Sequence, residues 1–241
     1  MTYPPAVELW IWLVLMVGTP LVGATAAAVI RWRARRSIAS QVRRTPLCAI
    51  GAITDNTRGP VAVHGTTRAL ATLHAPVATV PVIGFRLTIQ FDDPGGREAS
   101  SRPQSLDLSQ IVEFDLVDAT GTLRVMGHPV ALLAAPREVD PATLAVTLTR
   151  PDVERLVQQQ GFSVVDLVAG RNLRAVERLL LPDTEVYVLG QPRREIDSSG
   201  GGAGYRAPPT RLWLEAPRGT ALIVADCQRD LLLQQIQRLA G

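Results

Sequence analysis

The sequence contains no lysine, so all 25 of its basic residues are arginine. It also has only two cysteines, Cys48 and Cys227. Two thiols exclude a disulfide framework and any structural zinc site built from four thiolates. We expect both cysteines to stay unpaired in a reducing compartment, and one disulfide between them is the alternative. The missing lysine is typical of a GC-rich genome and by itself says nothing about function.

Histidine is scarce as well. The three histidines, His64, His74 and His128, are far apart, and none has a second metal ligand three or four residues away. The G-x-S-x-G, H-E-x-x-H and P-loop motifs are absent. The sequence therefore predicts no catalytic, cofactor-binding or metal-binding residues. An enzyme is the alternative, and it would need a pocket whose polar side chains converge around His64, His128 or Asp118.

Charge is missing from residues 9–30, between Glu8 and Arg31. At about 1.5 Å per residue, a helix of this length reaches roughly 33 Å, enough for a hydrocarbon core about 30 Å thick. The run predicts a transmembrane helix after a tail of residues 1–8. A cleavable secretory signal is the alternative, since residues 24–26 (ATA) resemble a processing site, but no basic residue precedes the run.

Tryptophan and arginine flank this run and predict contact with lipid. Tryptophan rings favour the headgroup level, and each arginine near anionic lipid contributes about 1 kcal/mol. The predicted membrane contacts are Trp10, Trp12, Arg31, Trp32, Arg33, Arg35 and Arg36. The arginines belong to a juxtamembrane tether, residues 31–46, whose basic cluster extends to Arg44. Because positive charge stays in the cytoplasm, we expect a single-pass cell-membrane protein with its N-terminus outside. The opposite topology is the alternative.

Basic charge is not in excess beyond the tether. Residues 45–241 hold 19 arginines and 21 acidic residues, so the pI near 9.4 arises from the tether. A nucleic-acid-binding domain would be expected to carry a basic surface of its own. We therefore expect no nucleic-acid partner.

Strand patterns dominate residues 47–225. In Ile83–Phe91 large apolar residues alternate with Gly or polar ones, which predicts that Phe85, Leu87 and Ile89 face a core while Arg86, Thr88 and Gln90 face out. Such segments, separated by Gly, Pro and Asp turns, predict a mainly β domain, a barrel or sandwich with minor helices. Further strands are predicted at Val61–Thr66, Val112–Val117, Thr122–Met126, Leu144–Leu148, Val176–Leu181, Glu185–Leu189, Arg211–Glu215 and Ala221–Ala225.

Two helices and two long loops interrupt the strands. Pro151–Gln160 predicts a short helix, because proline suits a first turn. Residues 226–241 predict an amphipathic helix, with Asp226 as its cap and an apolar stripe that docks on the domain, or alternatively on a membrane or partner. Asp92–Ser105 and Ser198–Pro209 are predicted to be loops.

The pattern V-x-V-x-G-x-x-R occurs twice, starting at Val61 and at Val186. A glycine within a strand suits a sharp bend, as small barrels need at their corners. We therefore expect Gly65 and Gly190 to lie at bends. With only four matched positions, chance is the alternative explanation of the repeat.

Three stretches of the chain carry a family resemblance: Gly59–Phe91, Phe114–Gly127 (FDLVDATGTLRVMG) and Glu177–Gly190. Together they resemble the GIDE, or beside-a-membrane, domain of membrane-anchored E3 ubiquitin ligases and their shorter prokaryotic relatives. The resemblance covers residues 45–227. Its motif residues in this chain, for which structural roles are expected, are Gly65, Phe114, Asp118, Gly121 and Gly190.

The resemblance implies a β-rich, membrane-proximal domain that senses or scaffolds. Ligase activity in that family belongs to a RING finger, and two cysteines with three histidines are too few for its zinc ligands. We therefore expect a non-catalytic, membrane-anchored protein that binds a protein or lipid partner at the membrane surface. The alternative is a member of the RING-type E3 ubiquitin transferase family by resemblance, without a RING finger in this chain, or a subunit of a membrane enzyme.

Overall fold

The computed structural model describes residues 38–91, 104–127, 130–168, 172–196, 210–218, 220–226 and 231–234. The predicted transmembrane helix lies outside these residues, and so do its predicted membrane contacts from Trp10 to Arg36. The same is true of His128, of Cys227 and of most of the two predicted loops. No helix within the described ranges is long and apolar enough to cross a bilayer. Two compact units are present, residues 1–44 with 233–241 and residues 45–232.

In the first unit, residues 38–44 are helical, within the predicted tether. Of the predicted C-terminal helix, residues 231–234 are described and are helical, and Leu232, which belongs to the second unit, is fully buried. The first turn that Asp226 is predicted to cap lies outside the described residues. Within them, the Asp226 carboxylate accepts the Ala135 N–H at 2.8 Å.

The larger unit contains the strands and helices that follow, numbered along the chain. The strands are β1 (Val61–Ala69), β2 (Leu73–His74), β3 (Pro81–Val82), β4 (Gly84–Phe91), β5 (Gln104–Ile111), β6 (Phe114–Asp118), β7 (Gly121–Val125), β8 (Val130–Leu133), β9 (Arg137–Val139), β10 (Leu173–Leu180), β11 (Glu185–Ile196), β12 (Thr210–Glu215) and β13 (Leu222–Ala225). The helices are α1 (Pro141–Leu148), α2 (Pro151–Gln159) and α3 (Val164–Val168).

Five strands close into a barrel in the order β1-β6-β7-β12-β11, because β11 pairs again with β1. All of these pairings are antiparallel except the parallel contact between β7 and β12. Strand β13 extends the sheet from β11, and β8 pairs with β13. The architecture is therefore mainly β with a five-stranded barrel and minor helices, as the strand patterns predicted.

The two copies of V-x-V-x-G-x-x-R lie on β1 and β11 and pair with each other. The opposed positions are Val61 with Gly190, Val63 with Val188, and Gly65 with Val186. Each glycine thus faces the first valine of the other copy, and the pair is related by a local twofold. Past its glycine, each strand takes up a new partner, β6 for β1 and β12 for β11.

Both glycines are required by close backbone contact. A Cβ at Gly65 would lie 2.6 Å from the carbonyl oxygen of Val117, and a Cβ at Gly190 would lie 2.8 Å from that of Glu215. These distances are too short for any side chain. Each glycine lies near the point where its strand passes from one neighbour to the next, and a bend at these positions stays a prediction.

The barrel interior is filled by apolar side chains from all five strands. Phe114, Leu116, Val188 and Leu214 are fully buried there. On the outer surface, Arg124 of β7 donates to Asp115 of β6 at 2.7 Å and lies over the Trp213 ring of β12, 5.5 Å from its centre. This stack connects three consecutive strands of the barrel.

A second sheet, in the order β5-β4-β10-β9, carries the three helices on one face. Side chains from β4 and β5 pack there against α1, α2 and α3. Leu87, Ile89 and Phe91 are buried, whereas Arg86 and Thr88 are half-buried on the other face and Gln90 is exposed. The alternation predicted for Ile83–Phe91 is therefore confirmed.

Leu144–Leu148, predicted as a strand, is instead the second half of α1. Asp140 caps this helix by accepting the Thr143 N–H at 3.0 Å, and Pro141 occupies its first position. The β-branched residues favoured a strand, but the cap and the proline favour a helix start. The helix predicted from Pro151 is confirmed as α2.

Glu177 of β10 is fully buried on the helix-covered face of the second sheet. Its two carboxylate oxygens accept the N–H groups of Val77 at 2.8 Å and Ala78 at 3.2 Å. Arg150 donates to the Pro76 carbonyl at 2.9 Å from the side of α2. The connection between β2 and β3 is thereby held against the sheet by side chains that come from distant parts of the sequence.

Candidate functional site

A 3-10 turn, Ile50–Ala52, lies against one end of the barrel and forms one wall of the candidate site. Asp118, at the end of β6, accepts the Ile50 N–H at 2.8 Å through one carboxylate oxygen. Its other oxygen accepts the N–H groups of Thr120 at 2.7 Å and Gly121 at 2.9 Å. One carboxylate thus shapes the β6–β7 hairpin and fastens the preceding turn to it.

The ionised form of Asp118 is favoured by these bonds. Burial acts to raise its pKa, but the hydrogen bonds from Ile50, Thr120 and Gly121 outweigh burial and hold the pKa below its ordinary value. Since this carboxylate is committed to backbone donors and to the Thr120 hydroxyl, its role in the described structure is to build the wall.

The opposite wall is formed by the part of β11 that follows Gly190 and by the start of β12. Arg194 of β11 makes an ion pair with Asp55 at 2.9 Å and donates to the Ile53 carbonyl at 3.1 Å. Arg211 lies opposite Glu195 in the β11–β12 register. The guanidinium of Arg194 is therefore in contact with the loop that follows the 3-10 turn.

Two adjoining hollows, of about 130 and 320 Å³, form a shallow depression between these walls. Both are lined by Ile53, Arg194 and Leu212. The remaining residues of this arginine-lined depression are Ile50, Gly51, Thr54, Asp55, Thr57, Gly121, Thr122, Pro192, Arg193 and Arg211. The surface offers guanidinium groups beside apolar side chains, which suits a ligand that carries negative charge and some apolar area.

The residues predicted from the family resemblance are divided between the depression and the barrel. Gly121 lines the depression, and Asp118 supports its wall. Gly65 and Gly190 are in close backbone contact on the barrel strands, and Phe114 is fully buried in the core. That these five residues form a family motif stays a prediction.

The histidines do not meet Asp118 in the described structure. His64 lies on β1, with Nε2 4.0 Å from a carboxylate oxygen of Glu185. His74 is exposed on β2. Across the described ranges, no group of three His, Cys, Asp or Glu side chains is arranged to hold a metal ion. Cys48 is a free thiol packed against the barrel core.

Sequence reasoning missed Arg194, Arg211 and Asp55. The signal available was the Arg193-Arg194 pair, which ends the second V-x-V-x-G-x-x-R pattern and extends it by one arginine. To interpret this arginine pair as part of a site, one needs to know that β11 continues past Gly190. One also needs to know that the loop after the 3-10 turn contacts β11. Neither fact is local in sequence.

A second, mainly apolar depression of about 460 Å³ lies beside α1 and the segment after β2. Its lining includes Val77, Ala142 and Val146, and Val146 is 70% exposed.

Comparison with models of protein families, with curated proteins and with solved structures gave no match.

Proposed function

We propose that the chain is a membrane-anchored, non-catalytic binding module of the GIDE type. In this proposal residues 9–30 anchor the chain, the arginines from Arg31 to Arg44 contact anionic lipid, and the barrel binds a partner protein beside the membrane. The observation that carries the proposal is the arginine-lined depression, whose walls are built by two of the family-motif residues, Asp118 and Gly121.

The chemistry of the depression favours an acidic, partly apolar segment of the partner. Arg194 is ordered before binding by Asp55 and the Ile53 carbonyl, so less side-chain freedom is lost when a carboxylate arrives. Guanidinium groups match carboxylates through paired hydrogen bonds. Leu212 and Ile53 offer an apolar floor beside them. A shallow, open surface of this kind suits a chain segment better than a small substrate.

Site-specific photocross-linking in the native cell tests the binding role. A benzoylphenylalanine placed at Thr122, within the depression, is expected to give a discrete adduct with a partner protein. The adduct should be lost when Arg211 is changed to Glu, because charge attraction to the acidic segment is reversed. The same probe at Thr149, exposed at the end of α1, is the matched control and is expected to give no such adduct.

An adduct from Thr122 that persists at full yield with Arg211→Glu would contradict an acidic ligand. The anchor is tested separately by carbonate extraction, which is expected to leave the intact chain in the membrane fraction. Release of the intact chain, or a mature N-terminus near Ala27, would contradict the anchor without bearing on the depression. A reporter fused after Gly241 is expected to be active in the cytoplasm.

A further inference from the structure

The outward face of the second sheet carries an unusual row of charges. Arg178 of β10 lies directly opposite Arg86 of β4, which in turn lies opposite Ser109 of β5. Like charges directly opposite each other on a sheet are destabilising. Such a pairing indicates either a compensating carboxylate within the protein or a negative ligand.

Only one of the two arginines is bonded to a carboxylate. Arg86 makes a two-pronged contact with Asp107, with distances of 3.2 and 3.0 Å, and Thr88 donates to the same carboxylate at 2.6 Å. Within the described part of the chain, the Arg178 guanidinium has no hydrogen bond or ion pair, and it shares the charge of Asp107 with Arg86. Arg178 is therefore a half-buried cation whose hydrogen-bond donors have no partner among the described residues.

Its half-burial comes from the neighbouring barrel. One row closer to the barrel, Leu180 is buried in the barrel core and Ile111 packs against that core. Burial and the charge of Arg86 both lower the pKa of Arg178, although it stays charged at neutral pH. The arginine row is thus the first polar row outside the barrel, in a partly desolvated position where a bound anion is attracted more strongly than in open solvent.

The charge count on this face favours a negatively charged ligand. Arg86, Arg174 and Arg178 face the same side as the carboxylates of Asp107 and Glu138, an excess of one positive charge. Of these three arginines, Arg86 and Arg178 lie directly opposite each other. The fork of a guanidinium matches the tetrahedral oxygens of a phosphate group.

We propose that Arg178 and Arg86, with the hydroxyl of Ser109 at the end of the row, bind a phosphate-type oxyanion. The shared chemistry is a phosphate group, which either free phosphate or the headgroup of an anionic phospholipid could supply. This site lies on the second sheet, apart from the arginine-lined depression of the barrel, and does not depend on the function proposed for that depression.

Thermal unfolding of the full chain in a zwitterionic nanodisc tests this site. Sodium phosphate, compared with sodium chloride at equal ionic strength, is expected to raise the unfolding temperature by about 2–4 °C. Arg178→Gln should remove this increment. The same variant should unfold at an equal or higher temperature in phosphate-free buffer, because it relieves the repulsion from Arg86. An arginine with a purely structural role would not give this opposite pair of effects.

Arg155→Gln is the matched control, because this exposed arginine of α2 belongs to the helix layer on the opposite face of the sheet. It makes the same change in net charge and should keep the full phosphate increment. Arg178→Lys keeps the charge but loses the fork, and its phosphate affinity should fall about tenfold. If Arg178→Gln does not fold, the phosphate affinity of Arg178→Lys tests the proposal in its place.

A parallel series in nanodiscs containing phosphatidic acid separates the two sources of phosphate. An Arg178-dependent increment from added phosphate in zwitterionic discs identifies free phosphate as sufficient. An increment that appears only with phosphatidic acid identifies the lipid headgroup. The proposal is overturned if neither source stabilises the chain, or if the Arg178 variants respond as the wild type does.

Discussion

The barrel and the helix-covered sheet bury their side chains in different ways. In the barrel, five strands close around an apolar cluster, and Thr67 of β1 is a fully buried polar side chain. The second sheet stays open and is covered on one face by helices. It buries a complete carboxylate, Glu177, and holds a like-charge pair, Arg178 and Arg86, on its other face.

This difference shows where each region obtains its specificity. The barrel depends on backbone geometry, since Gly65 and Gly190 allow main chains to approach more closely than any side chain would permit. The sheet depends on side chains that bond to distant backbone, as Glu177 does with the segment after β2. Substitutions chosen for each mechanism therefore separate the two regions.

The largest expected effect tests whether the two regions unfold together. Leu87→Ala in the sheet and Leu116→Ala in the barrel each remove a fully buried leucine. Each is expected to lower the free energy of unfolding by about 2–5 kcal/mol. Because both regions belong to one compact unit, urea unfolding of the full chain in detergent should show a single transition that shifts in both variants.

Gln90→Ala is the control for Leu87→Ala, since Gln90 is exposed on the same strand; its effect should stay below about 0.5 kcal/mol. Thr88 is less suitable, because its hydroxyl bonds to Asp107. Two separate transitions, with each variant shifting only its own, would show that the barrel and the sheet are independent folding units.

The next largest loss of stability is expected from substitutions at the two barrel glycines, Gly65 and Gly190. Gly190→Ala and Gly65→Ala should each cost about 1–3 kcal/mol, because the added methyl group would overlap a backbone carbonyl of the adjacent strand. Gly121→Ala is the matched control, since its Cβ would lie 3.3 Å from a methyl group of Ile50, which can give way. Equal urea midpoints for Gly121→Ala and Gly190→Ala would contradict the role given to close backbone contact.

A comparable effect is expected from the buried carboxylate of the sheet. Glu177→Gln keeps the shape but has one acceptor oxygen, so one of the two N–H groups, at Val77 or Ala78, loses its partner. The cost should be about 1–3 kcal/mol. Glu113→Gln, at an exposed carboxylate, controls for the charge change. Hydrogen exchange should accelerate at Val77 and Ala78 in the Glu177 variant alone, and unchanged exchange there would contradict the contact.

The smallest effect is the pH dependence due to Asp118. Because its pKa is lower in the folded protein than the ordinary 3.8, its ionised form stabilises the fold above about pH 4. That contribution disappears as pH falls through the folded pKa. The difference in unfolding temperature between the wild type and Asp118→Asn should therefore be constant from pH 5 to 7 and shrink below about pH 4. A difference independent of pH would show that ionisation of Asp118 has no part in holding the turn.

The strand patterns of the sequence predicted much of the architecture because they arise from local rules. Alternation in β4 and the glycines of β1 and β11 are visible in single segments. Register is not local, so nothing in the sequence indicated that Arg178 faces Arg86, or that Arg194 meets Asp55. The helix α1 was missed for a different reason, since its Thr and Val content outweighed the capping signal of Asp140 and Pro141.

Strand β5 was missed because Ser105, Asp107 and Ser109 make it polar on one face, and because the predicted loop was extended to Ser105. Its alternation of leucine with polar residues was nevertheless present. The arginine-lined depression required three separate segments to meet at one end of the barrel, and no pattern within any one of them specifies that meeting.

The pairing of β1 with β11 also sets the order in which this chain can fold during synthesis. Val63 leaves the ribosome long before its partner Val188, and nearly the whole second sheet and its helices lie between them in sequence. The barrel cannot close until β11 and β12 have been made, whereas β4, β5 and the three helices are complete earlier. Contacts between such distant segments are slow to form, so until β11 has been made β1 can pair only with β6, and barrel closure becomes a late step in the folding of the domain.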